Sequence, residues 1–289
     1  MPQFLPKILP PGNSSAKIKP WLQAQLETLP KWSLQSRSLA AWMMEDFGPQ
    51  HQDLWNQSEL LRLFQALDEL RNGRPYAYIC GKAPFLNVSV GVNPSVLIPR
   101  PETEEWVDML LKEQPEHQLS VLDIGTGSGC IALACAKAKP TWQVHAVDVS
   151  AEALQSAQAN AKELKLSVSF YPMDLNEKNT WPKATFDVIC SNPPYIPEDN
   201  KSRADPDVRD FEPHIALFTP KNDPLRFYRT IIHFCSLNLN PGGWLYLETD
   251  GAYHNETKDL LLRAGLFSRV KSHQDFRGNL RCISAKKSS

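Results

Sequence analysis

Apolar residues follow three different rhythms along the chain, and the changes between them mark the domains. From Ile18 to Arg74 they recur at three- and four-residue spacings: Trp21, Leu22, Leu26 and Leu29, then Leu39, Trp42 and Met43, then Leu54, Leu60, Leu61, Leu63, Phe64, Leu67 and Leu70. That period lines one face of an α-helix and predicts a small helical domain over 18–74. Residues 1–17, rich in Pro, Ser, Gly and Asn, read as a loose tail. Asn72-Gly73-Arg74-Pro75 breaks the helical rhythm. Tyr76-Ala77-Tyr78-Ile79 and Phe85-Leu86-Asn87-Val88-Ser89-Val90 then read as strands around a turn at Gly81-Lys82-Ala83-Pro84, a β-hairpin linker over 75–100.

Over 101–289 short apolar runs alternate with helical periods. Strands are predicted at 121–124, 143–147, 167–171, 186–190 and 244–247, and a closing hairpin at 267–272 and 280–285. Helices are predicted at 106–112, 130–138, 151–164, 224–237 and 255–264, with Ser150 as an N-cap. The alternation predicts a doubly wound α/β domain with an antiparallel edge.

Composition adds exclusions. A chain of 289 residues has room for two domains. With 31 Lys+Arg against 32 Asp+Glu, wrapping of a long phosphate backbone is disfavoured, and no sequence-specific nucleic-acid binding is expected. No apolar run approaches the ~18 residues of a membrane span. Met1-Pro2-Gln3-Phe4-Leu5-Pro6-Lys7 is broken by proline and lacks the apolar stretch of a signal peptide, so a cytoplasmic protein is expected. The six cysteines form no Cys-x-x-Cys pair and sit mostly in apolar segments, as buried free thiols do. No histidine spacing suggests a metal site, and none is expected.

Three motifs carry chemistry. Val121-Leu122-Asp123-Ile124 runs into Gly125-Thr126-Gly127-Ser128-Gly129, a turn whose glycines let backbone approach a ligand. A dinucleotide fingerprint would want glycine at 130, where Cys130 stands, and no Gly-Lys-Ser/Thr ending follows. Asp148 closes the next strand, where a carboxylate can take both hydroxyls of a ribose. Asn192-Pro193-Pro194-Tyr195 follows Phe186-Asp187-Val188-Ile189-Cys190-Ser191. Two prolines cannot extend a central strand, so the chain leaves the sheet at Asn192 on a stiff backbone. The Asn192 side-chain oxygen and the Pro193 carbonyl can accept the two hydrogens of a planar NH2 group while a ring covers its face. Pro-Pro-Tyr alone equally fits a plain loop or a polyproline ligand. Glycine turn, Asp148, Asp174 and Asn192 all fall at predicted strand ends, where ligands collect in such sheets.

The order of glycine turn, ribose acid and Asn-Pro-Pro-Tyr resembles S-adenosylmethionine-dependent methyltransferases of planar nitrogens, which include adenine amino and glutamine amide methyltransferases. The flanks narrow this. Leu97-Ile98-Pro99-Arg100-Pro101-Glu102-Thr103-Glu104, Asp210-Phe211-Glu212-Pro213-His214-Ile215-Ala216-Leu217-Phe218, Asp223-Pro224-Leu225-Arg226-Phe227-Tyr228 and Asp275-Phe276-Arg277-Gly278-Asn279-Leu280-Arg281 are similar to signatures of the HemK/PrmC release factor glutamine methyltransferases. Glu248-Thr249-Asp250-Gly251 departs from the Glu-Ile-Gly of that family, and the hairpin lacks its usual details.

The resemblance implies a seven-stranded class I, Rossmann-like domain, S-adenosyl-L-methionine as cofactor and S-adenosyl-L-homocysteine as product. It implies methylation of the glutamine of the Gly-Gly-Gln motif in peptide chain release factors, which would be the protein partner of the helical domain. Residues 125–129 would hold the methionine end of the cofactor with Thr103 and Glu104 nearby. Asp148 would take the ribose, and Asp174 and Leu175 the adenine. Asn192 and Pro193 would hold the amide, Pro194 would stiffen the loop, and Tyr195 and Leu97 would cover the flat group. Methylation of a ribosomal-protein glutamine, methylation of adenine in nucleic acid, and a non-catalytic binding module stand as alternatives; the intact Pro99–Glu104 run counts against the first, the second would need a base-flipping pocket, a basic face and a recognition region, and the intact Asn192 and glycine turn count against the third.

Overall fold

The helical rhythm of the N-terminal region becomes α1 (Ser15–Glu27), α2 (Ser36–Phe47) and α3 (Gln57–Arg71) in a computed structural model that describes residues 10–50 and 53–289. Ile18, Leu22, Leu26, Leu39, Met43, Leu63 and Leu67 meet in a core with no exposed surface. A capping box starts α3: the Asn56 side chain accepts from the Glu59 N–H at 3.0 Å, and the Glu59 carboxylate from the Asn56 N–H at 2.7 Å. Trp42, Leu54 and Leu61, counted with the periodic face, are instead 51%, 54% and 43% exposed. The expected tail is shorter where it can be seen. Ser15 opens α1, with its N–H on the Asp53 carbonyl at 2.8 Å, while residues 1–9 lie outside the described residues.

Tyr76-Ala77-Tyr78-Ile79 is not a strand but the short helix α4 (Tyr76–Cys80). The Pro75 carbonyl accepts from the N–H groups of Tyr78 and Ile79 at 3.0 and 3.2 Å, and the Tyr76 hydroxyl reaches the Asp46 carboxylate at 2.5 Å. These contacts override the local β-propensity of the tyrosines. The chain divides into two units, Met1–Cys80 and Gly81–Ser289.

The second unit opens with a hairpin of β1 (Lys82–Phe85) and β2 (Val88–Gly91). Its turn lies at Leu86-Asn87, not at 81–84, because Ala83, Phe85, Val88 and Val90 alternate inward and pair Ala83 with Val90 and Phe85 with Val88. After α5 (Pro101–Glu113), strands and helices alternate: β3 (Ser120–Ile124), α6 (Cys130–Ala138), β4 (Gln143–Asp148), α7 (Ala151–Leu164), β5 (Ser169–Pro172) and β6 (Phe186–Ser191). A parallel pair, β7 (Ile196–Pro197) with β8 (Phe218–Thr219), brackets α8 (Pro206–Phe211) and α9 (His214–Leu217). The chain closes with α10 (Arg226–Asn238), β9 (Leu239–Glu248), α11 (His254–Arg263), β10 (Phe267–Gln274) and β11 (Leu280–Lys287).

One seven-stranded sheet runs β10-β11-β9-β6-β3-β4-β5. Its pairs are parallel from β9 to β5, whereas β11 is antiparallel to both β9 and β10. Tyr228, Ile231 and Phe234 of α10 pack with Leu122, Ile189, Leu245 and Leu247 of the sheet. Strand order reverses between β3 and β6. Chain leaving the carboxyl ends of these two neighbours diverges and opens a crevice.

Candidate active site

The crevice begins with the turn after β3. Gly125, Gly127 and Gly129 adopt φ of +74°, +56° and +81°, a region that side chains disfavour. The N–H groups of Gly125 and Thr126 both donate to the Val147 carbonyl, at 2.9 and 3.0 Å, tying the turn to β4. The Thr126 hydroxyl donates to Asp123 Oδ2 at 2.7 Å. Asp123 is fully buried, and burial pushes its carboxyl up to about 7 against the pull of the Thr126 hydroxyl and the Ala132 amide, with Asp148 adding repulsion. From α7, Asn160 donates to the Ser128 and Gly91 carbonyls at 2.9 Å each and accepts from the Gly91 N–H at 2.7 Å.

Asp148, at the end of β4, accepts from the Gly127 N–H through Oδ2 and from the Ser150 N–H through Oδ1, both at 2.9 Å. Burial raises its carboxyl while the amides of Ser150, Gly127 and Val149 oppose the shift. Each oxygen keeps a second lone pair for a ligand. Past β5, Asp174 Oδ1 takes both the backbone and the side-chain N–H of Asn176, at 2.8 and 3.0 Å.

Residues 125–128, Asp148 and Asp174 line one cavity of about 260 Å³. On the glycine side lie Gly125, Thr126, Gly127, Ser128 and Asp148; Asp174, Leu175, Val149 and Met173 continue the wall. Leu97, Thr103, Asn192, Pro193 and Pro194, with Ile215 and Phe227, complete the lining. A Cβ built on Gly125 or Gly127 meets nothing within 4 Å, so the turn faces open space. Glycine backbone, a ribose-competent carboxylate and apolar walls fit a nucleoside carrying a small charged tail.

Two networks, one half-buried and one buried, hold the Asn192 wall. Arg100 Nη2 meets Glu212 Oε1 at 2.5 Å, and the Ile98 N–H donates to Glu212 Oε2 at 3.0 Å. The Leu97–Glu104 and Asp210–Phe218 segments, whose paired residues lie 112 and 114 apart in sequence, are thus riveted together. Deeper in, Glu248 Oε2 accepts from Thr103 Oγ1 at 2.6 Å and from Trp106 Nε1 at 2.8 Å. Asn192 Nδ2 donates to the same Thr103 oxygen at 3.3 Å. Burial raises the Glu248 carboxyl, while Thr103, Trp106 and the Arg281 charge pull it down and Glu102 pushes it up again.

Three expected residues lie elsewhere. Gly129 is behind the turn, where an added Cβ would meet Ala157 at 3.1 Å and Leu133 at 3.2 Å. Glu104 accepts from the Leu86 N–H at 3.1 Å, so its carboxylate serves the hairpin. Tyr195 packs against the core beyond the cavity lining, and burial pushes its phenol far up. Sequence reading also passed over Val149, Met173 and Phe227 in the lining and Asn160, Glu212 and Glu248 behind it. Phe227 and Glu212 stood inside recognised signatures, while Asn160 carries no local signal in its helix.

The sheet order and the cavity at its switch point are those of a class I S-adenosylmethionine-dependent methyltransferase domain. A methyltransferase from Pyrococcus furiosus shares that fold, at TM-score 0.52 and 22% identity over 69% of this chain and 89% of that one. Residues 104–205 match the family model of the methyltransferase small domain. A release factor glutamine methyltransferase of Bacteroides thetaiotaomicron is 41% identical over 75% of this chain and 77% of its own length. One from Bacillus subtilis is 36% identical over 91% and 90%. The chain belongs to the release factor glutamine methyltransferase family.

Proposed function

We propose that this enzyme transfers the methyl group of S-adenosylmethionine to the side-chain amide nitrogen of the glutamine in the Gly-Gly-Gln motif of peptide chain release factors. The observation that carries the reading is Asn192. It follows the end of β6, whose Ser191 pairs with Ile124 just before the glycine turn, and it lines the same cavity, with its Nδ2 engaged by Thr103 and Pro193 beside it. The names of the relatives support the choice of substrate.

In this reading the turn at 125–129 holds the amino-acid end of the cofactor through its backbone. Asp148 takes the ribose hydroxyls, Asp174 the adenine amino group, and Leu175 with Val149 the ring faces. The bound cofactor supplies a sulfonium-activated methyl whose bonding electrons stay with sulfur on transfer. The chain's own task is placement. Asn192 Oδ1 and the Pro193 carbonyl accept the two hydrogens of the substrate NH2, so its nitrogen faces the methyl at near-attack distance. As the nitrogen–carbon bond forms, positive charge grows on nitrogen, and the same two acceptors stabilise it. One N–H proton then leaves to water, restoring a neutral secondary amide. No side chain need act as base. Leu97 covers one face of the amide, while Tyr195 acts from behind by supporting the loop.

The helical unit is assigned the body of the release factor; its exposed Leu34 and Trp42, at 99% and 51%, support a docking role. Among the described residues no helix is long and apolar enough to cross a membrane. A translation factor as substrate places the work in the cytoplasm, with no need for metal, membrane or sequence-specific nucleic acid. The test is transfer of labelled methyl to a purified release factor, to the same factor with its Gly-Gly-Gln glutamine replaced, and to duplex DNA. Label in the first alone is expected. Label on adenine with none on the release factor overturns the reading.

A further inference from the structure

Asn192 is useful as an acceptor only if its amide is turned one way, with oxygen toward the substrate. An amide can rotate by half a turn and exchange a donor for an acceptor at almost no steric cost. Something in the fold must choose, and the groups around Asn192 are numerous enough to identify it.

Glu248 lies at the end of β9 and is 2% exposed. Its Oε2 receives the Trp106 indole N–H, a group that can only donate. The Thr103 oxygen lies 2.6 Å from the same Oε2. The Thr103 hydroxyl donates to that oxygen, so its single proton is spent on Glu248. The Thr103 oxygen is then left with lone pairs alone on its other side, where the Asn192 amide stands at 3.3 Å. Only Nδ2 can satisfy it. A flipped amide would set Oδ1 against the Thr103 oxygen, two acceptors with no proton between them, beside a side chain that is itself 2% exposed.

We propose that Glu248 and Thr103 are positioning residues that set the orientation of the Asn192 amide and hold its oxygen toward the reacting nitrogen. The relay runs one way: Asn192 N–H to Thr103 O–H to Glu248, with Trp106 anchoring the far end. It joins the start of α5, the end of β9 and the loop after β6, so a single chain of donors fixes three elements. Neither Thr103 nor Glu248 need touch the transferred methyl. The catalytic consequence rests on the proposed reaction, whereas the orientation of Asn192 does not.

The experiment compares Thr103→Val with Thr103→Ser in the full-length protein. Valine keeps the branched shape and loses the hydroxyl, and serine does the reverse. If Thr103 serves packing alone, serine is the worse variant; if it serves the relay, valine is. Single-turnover transfer to a release factor should slow by about tenfold or more in Thr103→Val, and stay within about threefold of wild type in Thr103→Ser, with S-adenosylmethionine affinity little changed in either. A second readout needs no activity: the Asn192 side-chain NH2 resonances, assigned by their loss in Asn192→Ala. A hydrogen-bonded, exchange-protected N–H is expected in wild type and Thr103→Ser and should be lost in Thr103→Val. Valine equal to or better than serine in transfer, or an Asn192 amide whose protection ignores the substitution, overturns the relay. A wild-type enzyme that fails to label any release factor while showing the protected amide overturns the proposed function and leaves the relay standing.

Discussion

Gly127→Ala separates ligand contact from backbone strain. At φ +56° an alanine costs about 1–2 kcal/mol, since its Cβ crowds the following carbonyl. The new methyl meets no protein atom within 4 Å, and Gly127 lines the cavity together with Asp148. Protein packing therefore adds nothing, and any further loss must come from the ligand. A misplaced methyl in a filled site typically costs about 1–3 kcal/mol, which is roughly 5- to 150-fold in affinity. Gly265 supplies the control. Its φ is +63°, an added Cβ again meets nothing within 4 Å, and it lies past α11 outside the cavity lining. Both alanine variants should lose about 2–4 °C in Tm per kcal/mol of strain. Only Gly127→Ala should lose S-adenosylmethionine affinity by calorimetry. Equal affinities for the two variants would refute the placement of the ligand against the turn.

The remaining expectations concern one amide and one carboxylate of the same cavity and the buried carboxylate behind its glycine turn. Asn192→Ala should lower turnover by roughly a hundredfold with cofactor affinity nearly unchanged; near wild-type single-turnover rates would reduce Asn192-Pro193-Pro194-Tyr195 to a structural turn. Asp148→Ala should weaken cofactor binding by about 1.5–3 kcal/mol through lost charge-assisted hydrogen bonds, and an unchanged calorimetric Kd removes Asp148 from the site. Asp123 has its carboxyl raised to about 7 from 3.8, so the folded state holds a proton that the unfolded chain releases. Its contribution to stability is full below the lower value, declines as pH rises between the two, and is flat above about 7. Urea unfolding from pH 5 to 6 should give Asp123→Asn a flatter slope than wild type by nearly one proton, the difference fading by pH 8, and parallel slopes at pH 5 to 6 would contradict the buried, protonated carboxyl.

The strands of the second unit were legible because parallel strands buried on both faces are short apolar runs between turn signals. β9 was seen only from Trp244. Its earlier part passes through Pro241-Gly242-Gly243, and the register with β6 slips between Phe186 and Val188, so pattern alone marks a turn there. α4 was misread because Tyr76 and Tyr78 favour strands locally, whereas the Asp46 contact that favours the helix is 30 residues away. The wall of the site followed the same division. Gly125, Asp148 and Asn192 announce themselves by residue type at strand ends. Glu248 and Asn160 act through partners up to 145 and 69 residues distant, which no local window contains. Glu104 was misplaced because Leu86, its partner, lies in a hairpin whose turn was set four residues too early.

The three contacts of Asn160 make a residue that never meets the ligand into a reporter of it. One side chain completes Gly91 of β2 on both its N–H and its carbonyl and fastens Ser128 in the turn. Loosening of either backbone releases the other. Filling the cavity restrains the turn, and the restraint passes through Asn160 to the hairpin. The Gly91 amide proton should therefore exchange more slowly as the cofactor site fills, a label-free reading of occupancy taken at a distance. An aspartate at 160 would keep an acceptor for the Gly91 N–H yet lose both donors, so the same proton would cease to follow the turn.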